Sequence, residues 1–324
     1  MKAIVQDSYG RADVLSLQDV DTPVPAAGEV LVSVRAAAVN AADWHIMRGD
    51  PYVARLSIGL GRPRAKVRGR DFAGVVDSVG AGVTRVRPGD EVYGETGLSD
   101  GAFAEYVCVP EELVDLKPSN LTFEQAAAVP LAGSTALMGL RDVGAGQHVL
   151  VNGASGGVGT FAVQIAKAFG AIVTGVCSTS KVELVRSIGA DHVIDYTAAD
   201  FTRQDVRYDV VFDLVGNRSL AELRRASTPE GTLVLSGGGV SGDGSLFGPM
   251  GLLMRAKVVS PFVRQRVVVL SVKTGREQLA ALRELIEAGS VTPAVDRTYP
   301  LSAVPDAIRY VAEEHARAKV VITV

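Results

Sequence analysis

The chain opens with short apolar runs broken at close intervals by turn residues. Glu29–Ala36, Ala73–Val79, Glu91–Tyr93 and Ala104–Val109 carry the β-branched and aromatic residues of strands. Pro23, Pro25, Ala27-Gly28, Gly80-Ala81-Gly82, Pro88-Gly89-Asp90 and Ser99-Asp100-Gly101 punctuate them. Over residues 1–122 this pattern predicts a small, mostly β unit. At Thr122 the pattern changes, because Thr122-Phe123-Glu124-Gln125 has capping-box-like spacing ahead of the apolar stretch Ala126–Val129. Strands expected at His148–Asn152, Ala171–Cys177, His192–Asp195, Asp209–Leu214, Thr232–Leu235 and Lys257–Ser260 then alternate with helices expected at 158–169, 181–188 and 219–226. Such alternation predicts a doubly wound parallel sheet over 123–262. Residues 263–324 predict a helix at Glu277–Ala288, another at 305–314 and a closing strand, Lys319–Val324. Their mixed character matches the first unit, so this tail is expected to fold back onto it. No internal repeat is visible.

Length agrees with two domains, since 324 residues exceed what one hydrophobic core usually organises. With 47% hydrophobic and 21% charged residues, a disordered or low-complexity chain is excluded. The 33 basic and 36 acidic residues leave a net charge of −3, and no Lys/Arg block is longer than a pair, so the electrostatic footprint of a nucleic-acid binder is missing. Two cysteines, Cys108 and Cys177, make neither a disulfide framework nor a four-thiolate zinc lobe and read as reduced, buried thiols. Asp7 and Tyr9-Gly10 interrupt the N-terminus before a signal-peptide apolar stretch forms, and no apolar run approaches the roughly 20 residues that span a bilayer. These features predict a soluble, cytoplasmic protein with a small-molecule ligand and no membrane or nucleic-acid partner.

The strongest local signal is His148–Asn152 followed by Gly153-Ala154-Ser155-Gly156-Gly157-Val158-Gly159. A buried strand runs through a glycine turn into a helix whose apolar positions, Val158, Phe161, Ala162, Ile165 and Phe169, keep helical spacing. Glycines admit a pyrophosphate to the backbone, and the helix N-terminus offers unpaired N–H groups and partial positive charge. The loop reads as G-x-x-G-x-x-G, or as G-x-G-x-x-G with Ala154 in first place; a plain tight βα turn is the alternative. Where an NAD site has an acid about 20 residues beyond the loop, the chain reads Cys177-Ser178-Thr179-Ser180-Lys181. Hydroxyls and an ammonium suit a 2′-phosphate, which a carboxylate would repel, so NADPH is expected over NADH. The alternative is a helix cap made by Ser178 or Ser180, with Lys181 solvated.

Beyond the loop, Ala38–Trp44, Gly69–Gly74, Pro88–Gly94, Gly101–Tyr106, Ala127–Ala136 and Gly153–Gly159 together resemble the medium-chain dehydrogenase/reductase superfamily, within it the zinc-free quinone oxidoreductase branch. The resemblance implies a GroES-like catalytic domain built from both chain ends, a Rossmann domain between them, a cofactor in the cleft and a homodimer. Zinc members hold their metal through a Cys after the early strand and a His in a Gly-His-Glu segment. The corresponding stretches here are Val39–Asp43 and Gly69-Arg70-Asp71, which lack the soft ligands, so no catalytic zinc is expected. His45 reads as a helix-face residue.

Carried over residue by residue, Asn40 and Thr135 fall near the nicotinamide and its ribose. Gly153, Ser155, Gly156, Gly157, Val158 and Gly159 fall along the pyrophosphate, with Ser178, Thr179 and Lys181 at the adenosine phosphate and Tyr196 over the adenine-side ribose phosphate. Val215, Ser236, Gly237 and Lys319 complete the expected cofactor contacts, although Ala318 replaces the more usual Gly before that Lys. Plainer alternatives are a turn cap for Asn40, a helix position for Thr135 and a half-buried strand end for Tyr196.

With no metal to polarise a carbonyl, oxidation of simple alcohols loses its Lewis acid. A quinone or enone takes hydride to give a delocalised oxyanion, for which hydrogen bonds and one proton donor suffice. The expected activity is therefore NADPH-dependent reduction of a quinone or α,β-unsaturated carbonyl. Asn40 and Tyr52 are the expected catalytic residues; the resemblance implies Tyr52 at the substrate mouth as a hydrogen-bond or proton donor, with a packed loop aromatic as the plainer alternative, and Phe262 and Gln265 on the far wall. A zinc-free alcohol dehydrogenase or carbonyl reductase, and an NADPH-binding protein without turnover, are the alternatives.

Overall fold

A computed structural model of the chain describes residues 1–97, 99–236, 250–313 and 316–324. The catalytic unit begins with β1 (Lys2–Gln6) and β2 (Leu15–Asp19), an antiparallel pair. There follow β3 (Glu29–Val39), β4 (Asp71–Val79), β5 (Glu91–Glu95), β6 (Tyr106–Pro110) and β7 (Val114–Leu116). The nucleotide unit comprises β8 (His148–Asn152), β9 (Ile172–Cys177), β10 (His192–Asp195), β11 (Tyr208–Asp213), β12 (Ser227–Leu235) and β13 (Arg266–Val269). The chain then returns through β14 (Val295–Pro300) and β15 (Lys319–Thr323), which join the catalytic sheet in the order β14-β15-β3-β4-β5-β7, with β6 also on β3.

The nucleotide sheet is parallel throughout, in the order β10-β9-β8-β11-β12-β13. Its strands are nearly continuous apolar runs because helices cover both faces. Helix Gly157–Ala168, for example, buries Phe161, Ala162 and Ile165 against it. Strand order reverses between β8 and β11, and that switch point opens the crevice in which such folds bind ligands.

Three expectations need correction. Lys257–Ser260 is not a strand, since Met250–Val259 is a helix whose last turn carries the β-branched pair Val258-Val259. The sixth strand is Arg266–Val269, a short apolar run that periodicity alone does not distinguish from a helix end. The return to the catalytic unit therefore comes after residue 269 rather than at 263, because β13 pairs in parallel with β12. The unexpected β14 is mostly polar, which hid it, and it lies parallel to β15.

Strand register carries the site. β15 runs antiparallel to β3 with Val320 opposite Val39, so Lys319 falls beside Asn40. On the other side of β3, β4 begins with Asp71 opposite Ala38. Three segments remote in sequence thus converge where the catalytic sheet faces the glycine loop, and Ala318 N–H reaches Ser155 O at 2.8 Å.

Candidate active site

At the switch point the loop after β8 is shaped by its glycines. A Cβ at Gly159 would lie 2.1 Å from Gly153 O, so only glycine lets the helix start this close to the turn. Gly156 is the N-cap and makes no side-chain capping bond, leaving the first N–H groups of the helix to a ligand. Opposite, after β11, buried Asp213 accepts from Asn152 Nδ2 at 2.8 Å and from the N–H groups of Val215 and Gly216 at 3.2 and 3.1 Å. Asn152 and Asp213 therefore fix the crest bearing Val215, a role the sequence reading missed; its only signal is a polar residue ending each of two apolar strands. Ser236 follows β12, its N–H bonded to Asp213 O, while Gly237 lies outside the described residues. Ser155 and Val158 sit within the loop and the first helical turn. This cradle fits a dinucleotide pyrophosphate.

The adenosine end differs in detail from its sequence reading. Ser178 precedes a short turn of helix and makes no side-chain cap. Thr179 Oγ1 is committed to Asp195 Oδ2 at 2.6 Å, because the parallel register of β9 and β10 sets Asp195 beside Cys177. Lys181 Nζ donates to Ala316 O at 3.3 Å, and its pKa is lowered first by burial and then by the charge of Arg317. Arg317 is a second cation at this end, recognisable only once the tail has folded back. Tyr196 follows β10 and is exposed.

On the catalytic side, Asn40 caps helix Ala41–Arg48, its N–H donating to Asp43 Oδ2 at 2.7 Å. Asn40 Nδ2 donates to Asp71 Oδ2 at 3.0 Å, and Asn40 Oδ1 accepts from Lys319 Nζ at 2.5 Å. Lys319 Nζ lies 3.4 Å from Asp71 Oδ2, and Asp71 Oδ1 takes the N–H of Leu131 at 3.2 Å. One turn along helix Pro130–Leu140, Thr135 Oγ1 donates to Leu131 O at 2.6 Å. Asn40, expected near the nicotinamide, is thus held at both ends of its amide. Lys319 is 2% exposed and passes beneath Gly157 instead of lying open in the cleft.

Further buried charges surround this ring. Arg68 pairs with Asp100 at 2.7 Å, and Arg70 pairs with Glu95. Burial pushes Asp43, Asp71 and Asp100 each up to about 6, against the pull of Lys319 on Asp71 and of Arg68 on Asp100.

Tyr52 stands in the loop after Arg48, 45% exposed, with the Arg55 guanidinium 4.7 Å from its ring centroid. The same guanidinium stacks on Tyr9 and donates to Gly49 O at 2.9 Å, so Arg55 organises the loop that carries Tyr52. His45 Nδ1 lies 3.0 Å from Asp50 O, on the last helical turn. Phe262 is 85% exposed, and Gln265 Oε1 accepts from Arg224 Nε at 3.1 Å, which ties that residue to the nucleotide unit. Burial raises both cysteine thiols to about 11; Cys177 is buried and Cys108 half-buried. Among the described residues no helix is long and apolar enough to cross a membrane.

Comparison with known proteins gives this geometry its relatives. Residues 26–119 match the alcohol dehydrogenase GroES-like domain, and residues 188–322 match the zinc-binding dehydrogenase family. The chain is 38% identical to 2-methylene-furan-3-one reductase of Solanum lycopersicum, across 99% of this chain and 79% of that protein. It is 37% identical to the chloroplastic NADPH-dependent alkenal/one oxidoreductase of Arabidopsis thaliana, again across 99% and 79%. Among solved structures, the quinone oxidoreductase of Coxiella burnetii superposes with a TM-score of 0.86 at 30% identity, covering 100% of this chain and 99% of that one. The zinc in the second family's description does not fit the donors here. Asn40, Arg70 and Asp71 occupy the ligand-bearing segments, and the Lys319 ammonium stands between them, where it would repel a dication. Among the described residues no three His, Cys, Asp or Glu side chains are grouped to hold a metal ion.

Proposed function

The chain belongs to the medium-chain dehydrogenase/reductase superfamily, in its zinc-free quinone oxidoreductase-like branch, and on that premise we propose how its cleft reduces a quinone or α,β-unsaturated carbonyl with NADPH. Bound NADPH supplies the hydride; the protein supplies position, electrostatics and exclusion of water. The observation that carries the reading is the facing of two surfaces: a glycine cradle at the switch point, and opposite it a buried ring of Asn40, Asp71 and Lys319 in place of soft metal ligands. A conjugated acceptor suits this arrangement because its developing charge is spread over several atoms, whereas an alcohol–carbonyl couple without a metal concentrates charge on one oxygen.

In this reading Gly153, Ser155, Gly156, Gly157, Val158 and Gly159 hold the pyrophosphate between the helix N-terminus and the Val215 crest, and Ser236 borders the crevice. Ser178, Lys181 and Tyr196 take the adenosine ribose and its phosphate. Thr135, buried beside the Asp71 anchor, borders the nicotinamide end. Tyr52, exposed at the mouth and stacked on Arg55, donates the proton that an enone requires after hydride addition.

A homodimer is supported by the outer edge of β13, which has no strand partner among the described residues, and by Met254, Val258 and Phe262 exposed close to it in sequence. The cytoplasm, which keeps thiols reduced, suits Cys108 and Cys177.

NADPH consumption with menadione, crotonaldehyde, acetaldehyde and, in reverse, NADP with ethanol tests the assignment. Menadione or crotonaldehyde should be reduced at least tenfold faster than acetaldehyde, with or without prior chelation. Turnover of ethanol and acetaldehyde alone would overturn it. Tyr52→Phe should slow crotonaldehyde roughly ten- to a hundredfold and menadione less; an unchanged crotonaldehyde rate removes Tyr52 from the reaction.

A further inference from the structure

Zinc members of the superfamily place a metal cation between the segment after the early strand and the segment opening the next. In this chain those segments present Asn40 and Asp71, and the tail inserts Lys319 against both. The ammonium has two neighbours, Asn40 Oδ1 at 2.5 Å and Asp71 Oδ2 at 3.4 Å, and its third N–H has no protein acceptor among the described residues. Its stem is wedged beneath the glycine loop, where a Cβ on Gly157 would come within 2.9 Å of Lys319 Cδ. The backbone beside it is pinned to the same loop through Ala318 N–H and Ser155 O. Asp71 is fully buried and is itself anchored by Leu131 N–H, so the ring is closed by fixed groups and has no freedom to follow a mobile side chain.

We propose that Lys319, buried beneath the glycine loop, is a positioning residue whose ammonium locks the Asn40 amide and adds a fixed positive charge next to Asn40 and Asp71, in the segments where zinc relatives hold a metal. The inference rests on the reductase reading and deepens it. Hydride addition places negative charge on the acceptor oxygen. A buried cation that is already oriented lowers the energy of that charge without reorganisation. Asp71 keeps the cation in place while ionised, and burial holds its pKa at about 6, with Glu95 and Asp43 raising it and Lys319 and the Asn40 amide lowering it. Activity should therefore decline on the acid side of about pH 6 as Asp71 takes a proton and releases its hold.

Lys319→Met alone strands a buried carboxylate and risks unfolding. The decisive variant is the neutral double exchange Lys319→Met with Asp71→Asn, which leaves no unpaired charge; Lys319→Arg serves as the conservative control. The readouts are NADPH dissociation by calorimetry, Tm, and kcat and its pH profile with menadione and crotonaldehyde. We expect the double variant to fold, to bind NADPH within about threefold of wild type, to lose kcat roughly ten- to a hundredfold, and to lose the acid limb. Lys319→Arg should keep a larger share of kcat than the double variant. Wild-type kcat in the double variant would make the pair a structural element only and overturn the inference. A loss confined to NADPH affinity would make Lys319 a cofactor ligand and overturn it equally. Wild-type protein inactive with both acceptors would instead remove the reductase reading on which the inference stands.

Discussion

The adenosine end allows discrimination to be worked out group by group. Lys181 is half-buried and pays for its charge twice, through burial and through repulsion by Arg317, with Asp296 offsetting part of this. In the proposed binding mode a 2′-phosphate here would relieve the repulsion and replace the weak bond to Ala316 O, which spans 3.3 Å, with a charge-assisted one. Such a bond contributes about 1.5–3 kcal/mol, so Lys181→Ala should weaken NADPH about ten- to a hundredfold, at about 1.4 kcal/mol per decade. Arg317 is exposed, and an exposed ionic contact is worth about 0.2–1 kcal/mol; Arg317→Ala should therefore cost about fivefold or less, and less still in high salt. Thr179→Ala should cost still less, because its hydroxyl already serves Asp195. NADH, without the phosphate, should be nearly indifferent to all three. Calorimetric titration of each variant with NADPH and NADH decides the matter. Equal losses for both cofactors in Lys181→Ala would show a structural lysine, and a larger loss from Arg317→Ala than from Lys181→Ala would refute the burial argument.

Two further outcomes follow from conformation and burial. Ala318 holds φ at 58°, a region that costs a residue with a Cβ about 1–2 kcal/mol. Ala318→Gly removes that cost and adds about 0.5–1 kcal/mol of unfolded-chain entropy, so the variant should gain up to about 1.5 kcal/mol and a few degrees in Tm by calorimetry; a lower Tm would contradict the strain. Asp43, Asp71 and Asp100 have folded pKa values near 6, above their unfolded values near 4. Between those values the folded state binds more protons, so their contribution to stability is present below about pH 4 and is lost as pH rises through about 6. Tm should be higher at pH 5.5 than at pH 8, with a shallower slope in Asp43→Asn, and the opposite order in the wild type would refute the assignment.

How far the fold was legible depended on which residues carried each element. The strands His148–Asn152, Ile172–Cys177 and Tyr208–Asp213 stood out because a strand covered on both faces is an unbroken apolar run between turns. Val295–Pro300 escaped because its centre, Asp296-Arg297-Thr298, is polar, as edge strands often are, with Arg297 and Thr298 exposed. Lys257–Ser260 reads as a strand through its adjacent valines, whereas Arg266–Val269, the strand that forms, is a run of four residues with no period to measure.

The site divides along the same line. The glycine loop was legible because its chemistry lies in one contiguous segment, where strand, turn and helix can each be checked against the next. The ring of Asn40, Asp71 and Lys319 was not. Each residue was noticed for a separate reason: one as a nicotinamide neighbour, one as a failed metal-ligand segment, one as a cofactor contact. What joins them is the register of β3 with partners on its two sides, and one step of slippage in either pair would turn the side chain to the opposite face of the sheet. The active site is therefore complete only with the tail in place. It closes the catalytic sheet, brings Arg317 to the adenosine end and inserts Lys319 beneath the loop, so the completed cleft depends on docking a strand that lies more than a hundred residues beyond the glycine motif.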